Sequence, residues 1–185
     1  MKNITAAFCL LIASPLHAED AAPTPAPAKP AAAQTPIKSH GQFEFSMPGE
    51  WKLTEIPKQE TDGPVIYPGS GTTPGGVLSY LAFEFPGQKV ADQKLENFPG
   101  PVCEPIIAKL EKAGGKEVSR GYEELVKGQP DRGYFHLLMK SPAGEEIHFS
   151  GIVVRTTKRV YVIQQMGPNV TKDSWVEIVK SFKEL

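Results

Sequence analysis

The chain has 185 residues, a formal charge of −1, 22% charged and 40% hydrophobic residues, and two cysteines. So even a charge balance excludes binding to nucleic acid by bulk electrostatics. Two thiols, one of them in the leader described next, exclude a fold stapled by internal disulfides.

The first eighteen residues read as a cleaved export signal. Lys2 gives a short basic start, Ala6 to Ala13 an apolar run, and Leu16-His17-Ala18 a small-residue exit, so cleavage is expected after Ala18. The apolar run falls well short of the roughly 20 residues a membrane span requires. It continues past Cys9 rather than ending before it, so Cys9 does not read as a lipid-anchor cysteine. Removing Lys2 from the 20 basic residues leaves 19 against 21 acidic ones, a balance of −2 for the mature chain. Cys103 then stands alone, either buried and inert or paired between chains.

Residues 19–36 hold Pro23, Pro25, Pro27, Pro30 and Pro36 among alanines. No large apolar side chain is available to offset the entropy of ordering, so an extended, disordered tether is expected. Residues 37–185 then form one domain.

Phe43 to Met47 alternates like a strand, Pro48-Gly49 reads as a turn, and Trp51 to Ile56 alternates again, which predicts an opening hairpin. Pro57 to Gly76 is rich in Gly, Pro and Thr, with Val65-Ile66-Tyr67 its one large apolar cluster, and reads as a long loop. Its Gly69-Ser70-Gly71-Thr72-Thr73 run lacks the lysine and the following helix of a phosphate-binding loop. Val77 to Phe85 is a strand with few polar positions and is expected near the centre of the sheet. Cys103, Ile106, Ile107 and Leu110 fall at helical spacing, and Gly114-Gly115 stops them. Pro105 fits a first helical position, so regular helix is expected from Pro105 to Ala113, with Cys103 beside the core stripe. Val118 to Val126 carries charged positions and reads as an edge strand.

Arg132 to Met166 reads as three consecutive antiparallel strands. In Arg132 to Lys140, Phe135, Leu137 and Met139 point one way and Tyr134, His136 and Leu138 the other. After Ser141-Pro142-Ala143-Gly144, Ile147, Phe149 and Val153 oppose His148, Ser150, Ile152 and Val154. Pro142 suits the second position of a type I turn, and Gly144 the left-handed bulge position closing it. If Ser141 faces Glu145, Leu137 and Phe149 lie diagonally on one face and the apolar sets coincide. A second turn at Thr156-Thr157-Lys158 leads to Val160-Tyr161-Val162-Ile163, whose lack of alternation predicts cover on both faces. Thr171 to Phe182 is the clearest helix, with Trp175, Ile178, Val179 and Phe182 at i, i+3, i+4, i+7, Thr171 as cap and Asp173 in its positive first turn.

This order predicts an α+β domain in which helices cover an antiparallel sheet. Phe43-Glu44-Phe45-Ser46-Met47-Pro48-Gly49-Glu50-Trp51 and Val179-Lys180-Ser181-Phe182 resemble the edges of bacterial members of the PsbP-like superfamily, over Gly41 to Leu185. The resemblance implies an α-β-α sandwich with a central antiparallel β-sheet and a closing C-terminal helix. That group includes the photosystem II extrinsic subunit, a Ran-binding nuclear import factor and many exported bacterial proteins. No functional residue of the family carries over, because no motif here matches one.

Chemistry is sparse. There is no Gly-x-Ser-x-Gly elbow and no Cys/His pair of recognisable spacing. The acid pairs Glu123-Glu124 and Glu145-Glu146 sit on adjacent strand positions and point to opposite faces. His136 and His148 are expected as diagonal neighbours on one face, but a metal site needs further ligands. No catalytic residue, cofactor or metal site is assigned. The expectation is a non-catalytic interaction or scaffold module of the bacterial cell envelope, periplasmic or secreted. It would present the 57–76 loop or a sheet edge to an envelope protein. The alternative is a small-molecule binder or hydrolase with a pocket under that loop.

Overall fold

The computed structural model describes residues 34–40, 42–74, 76–167 and 171–185, so the expected signal and most of the expected tether lie outside the described residues. Eleven strands and two helices follow in order: β1 (Gln34–Ser39), β2 (Phe43–Pro48), β3 (Lys52–Glu55), β4 (Gln59–Glu60), β5 (Val65–Thr73), β6 (Gly76–Glu84), α1 (Pro99–Lys112), β7 (Lys116–Glu124), β8 (Arg132–Lys140), β9 (Glu146–Arg155), β10 (Arg159–Met166), α2 (Lys172–Lys180) and β11 (Lys183–Glu184). Two short 3-10 turns precede α1. The class is α+β, and every strand pairing is antiparallel.

The large sheet has the order β3-β5-β6-β10-β9-β8-β7, with β4 added beside β5. The expected meander is its right half, with Ser141 N–H donating to the Glu145 carbonyl as the turn requires. The register is the expected one, with Ser141 facing Glu145, and in it Leu137 lies directly opposite Phe149 rather than diagonally, so the two apolar sets coincide. One face buries Phe135, Leu137, Phe149, Val153 and Val162 with Cys103 and Ile107 of α1. The other buries Tyr134, Ile152, Tyr161 and Ile163 with Trp175 and Ile178 of α2 and with Phe43 and Phe45 of the small sheet. Strand β10 is therefore covered on both sides, as its unbroken apolar run required.

Several sequence-based expectations fail. Gln34, Thr35 and Pro36, expected at the end of the tether, belong to β1, pairing with Pro48, Met47 and Ser46, and Thr35 Oγ1 donates to the Gly49 carbonyl. The opening hairpin does not form. β2 pairs with β1 and β11 in a three-stranded sheet, while β3 joins the large sheet beside β5. Alternation identified both strands but not their partners, and Gly49, at φ +91°, turns the chain from one sheet to the other. The 57–76 loop is mostly strand. Gly69 belongs in it because the Tyr80 ring of its cross-strand partner occupies the space a Cβ would take, 2.1 Å from the nearest ring atom. Pro68, which cannot donate to a ladder, lies opposite no residue of β3 or β4, in the gap between those short strands.

Helix α1 starts at Pro99 and carries Pro105 inside it. Pro105 faces solvent, so the ring and the Pro101 carbonyl it leaves without a donor fall on the wet side. The chain does not close on a helix either. α2 ends at Lys180, Phe182 stacks on Phe43 beyond it, and β11 follows as the third strand of the small sheet. Thr171 caps α2 as expected, its side chain accepting from Ser174 N–H.

Candidate functional site

Cys103 sits on the core side of α1, 6% exposed, with Sγ donating to Gln164 Oε1 at 3.7 Å. Burial pushes its thiol up to about 11. His136 and His148 are diagonal neighbours on the opposite sheet face, so Cys103 cannot complete a ligand set with them. The His136 ring lies against Gly121 of β7, and His148 Nε2 stands 3.4 Å from Glu146. Among the described residues no group of three or more His, Cys, Asp or Glu is placed to hold a metal ion. The first acid pair has separate partners, Glu123 meeting Lys172 at 2.8 Å and Glu124 accepting from Gly128 N–H, while in the second pair only Glu146 lies in a strand and Glu145 belongs to the turn before it.

One constellation escaped the sequence. Glu84 of β6 and Arg159 of β10 are direct cross-strand partners, and Arg159 donates to Glu84 through Nη2 at 2.8 Å and Nε at 3.2 Å. Tyr67 donates to the same carboxylate at 3.2 Å, and the Arg159 guanidinium lies 5.7 Å from the Tyr67 ring centroid. Beneath them Glu184 of β11 accepts from Tyr161 at 2.6 Å and Thr156 at 2.9 Å. Hydrogen bonding from Arg159 holds the Glu84 carboxyl below its ordinary value, and burial raises the Tyr161 phenol. Such shifts move both groups away from neutrality, opposite to what a general acid or base working near pH 7 needs. The cluster ties the last strand to the sheet. His40 extends the tie: its backbone N–H reaches Glu55 at 3.0 Å and its Nε2 lies 3.0 Å from the Pro68 carbonyl.

The sheet edges are poor templates for another strand. β7 carries five charges in nine residues and a bulge between Glu117 and Ser119, and β3 and β4 are four and two residues long. The open half of one face is different. α1 covers this face around β10, β9 and β8, and leaves β3, β5 and β6 partly bare. There Thr54, Ser70 and Ser79 stand in one cross-strand row that continues into Gln164. Beside it run Val77, 36% exposed, and half-buried Leu81 and Met166. No side-chain hydrogen bond ties the three hydroxyls to another described residue. The surface is aliphatic and hydroxylic, lines none of the four main cavities, and has Lys52 as its nearest charge in register.

None of the four main cavities among the described residues is lined by a residue of 57–76. Of the cavities lined by described residues, the most apolar lies on the other side of α1, between that helix and β7. No helix among the described residues is long and apolar enough to cross a membrane.

No protein-family model matches the chain, and no curated protein matches it. Among solved structures it is similar to cyanobacterial PsbP (CyanoP) from Synechocystis sp. PCC 6803, in solution, with 13% identity and a TM-score of 0.47. The match covers 88% of this chain and 98% of that one.

Proposed function

We propose that this domain is an exported, non-catalytic interaction module of the bacterial cell envelope. In this reading it is an α-β-α sandwich of the PsbP-like kind that meets an envelope protein through the open half of its large sheet. The observation that supports this is the row Thr54-Ser70-Ser79 beside exposed Val77 and half-buried Leu81, which the described elements leave partly open. Interface cores are depleted in charge and enriched in apolar area, with polar groups free to pair across them, and this face has that composition. A surface that lines no main cavity suits a protein better than a small molecule, which requires concavity.

The test compares the mature protein with Val77→Glu and Ser79→Lys variants in capture from envelope extract. Both side chains point outward, so melting temperatures should match the wild type within a few degrees. A partner held by the wild type and lost by both variants supports the reading. A partner retained equally by both variants overturns the assignment of this face.

A further inference from the structure

Between α1 and β7 lies a cavity of ≈ 220 Å³ whose lining includes Cys103, Ile107, Phe135 and Leu137, all under 9% exposed. Tyr122, 37% exposed, and half-buried Gly100 also line it. A Cβ placed on Gly100 meets no atom within 4 Å, so a side chain there has open space to enter. Dry apolar cavities near this size accept a single ring or branched aliphatic group, an engineered one of about 150 Å³ taking up benzene.

The rim is acidic. Arg120 bonds both Glu117 and Glu104, each through a contact of 2.8 Å, so two carboxylates share one guanidinium. Glu96, exposed and also on the lining, forms no ion pair with another described residue. Of the charged groups on the lining, Arg120 is thus already satisfied by carboxylates outside it, and Glu96 is left to meet a cation.

We propose that this cavity receives a bulky apolar side chain of a partner peptide whose next residue is basic, the ring entering over Phe135 and Leu137 and the cation meeting Glu96. Fully desolvated apolar anchors in pockets carry much of the energy of protein interfaces. The charge of the rim then selects which anchor-bearing sequences approach. This site lies apart from the open sheet face and stands or falls independently of it.

The test is a titration of the protein, followed by amide chemical shifts, with N-acetyl-Phe-Lys-amide, N-acetyl-Phe-Glu-amide and N-acetyl-Ala-Lys-amide. Saturable shifts are expected around Tyr122, Phe135 and Leu137 for the first probe, with about tenfold weaker binding of the other two. Gly100→Phe should abolish binding by filling the cavity. Glu96→Lys, at an exposed rim position, should remove the preference for the lysine probe over the glutamate probe without touching the core. Absence of saturable shifts at the cavity overturns the proposal, as does equal affinity for all three probes. A Val77→Glu variant that binds the first probe normally keeps this result distinct from any failure of the sheet-face interaction.

Discussion

Cys103 Sγ meets Gln164 Oε1 across 61 residues of chain, and this contact fastens the buried side of α1 to the central strand β10. With the thiol pushed up from an ordinary 9.0 to about 11 by burial, its thiolate fraction at neutral pH falls about 100-fold. Alkylation by iodoacetamide at pH 7.5 should therefore run at least two orders of magnitude slower in the folded protein than in urea. Non-reducing gels of the folded protein should show no covalent dimer. Equal labelling rates in the two states would refute the burial.

Glycines in the large sheet are predicted to differ sharply in tolerance. A Cβ on Gly151 would lie 2.4 Å from the Ile163 carbonyl and 2.5 Å from the Phe135 ring, and the carbonyl is backbone that cannot swing aside. Gly151→Ala should cost about 2–3 kcal/mol, close to the upper range for overpacking, and lower the melting temperature by about 6–10 °C. Gly100→Ala should be neutral or stabilising by up to about 1 kcal/mol, because it adds helix propensity in open space. Thermal melts of the two variants check both signs.

Acid stability should depend on Arg159. Its hydrogen bonds to Glu84 place the folded-state value of that carboxyl below the ordinary 4.5, so the pair adds stability above that pH and loses it as pH falls through the folded value. Arg159→Leu should return Glu84 to its ordinary range and flatten the acid limb of stability. Denaturant melts between about pH 3 and pH 7, with a carbon-13 titration of Glu84, measure both. An unchanged acid limb would show the pair to be energetically silent, as many half-exposed ion pairs are.

At the start of α2, Thr171→Ala removes the acceptor for Ser174 N–H and should cost about 1 kcal/mol. Thr171→Asp, which restores an acceptor and adds favourable charge at the positive end of the helix, should recover most of it. Melting temperatures of the pair separate capping from any loss of contact.

The meander and α2 were legible because their apolar periodicity is local: Phe135, Leu137 and Met139 need only their own strand to declare a face. The 57–76 segment was not, because a Gly-rich sequence looks the same in a loop and in a strand whose neighbour supplies the bulk. Gly69 and Tyr80 share one side chain's worth of space across the ladder, and that sharing is visible only after pairing. The same holds for Gly151 under Phe135 and Gly121 under His136. The Glu84-Arg159 pair was hidden for a related reason. Both stand at strand ends that face each other once β6 and β10 are paired, and pairing these two strands would have exposed it. The cavity beside α1 was out of reach, since it depends on a helix that begins six residues before Pro105, where the sequence alone would start it.

The small sheet holds both ends of the described fold against a single strand. β1 and β11 run parallel to each other on either side of β2, with Gln34 opposite Pro48 and Glu184 opposite Phe43. Tension applied between Gln34 and Leu185 would thus pull the two outer strands lengthwise in opposite directions. All six residue pairs of β1 with β2 would resist together instead of parting one after another. A fold clamped this way is loaded in shear, the stiff direction of a β-ladder, and should hold a mechanical load out of proportion to the few residues that carry it.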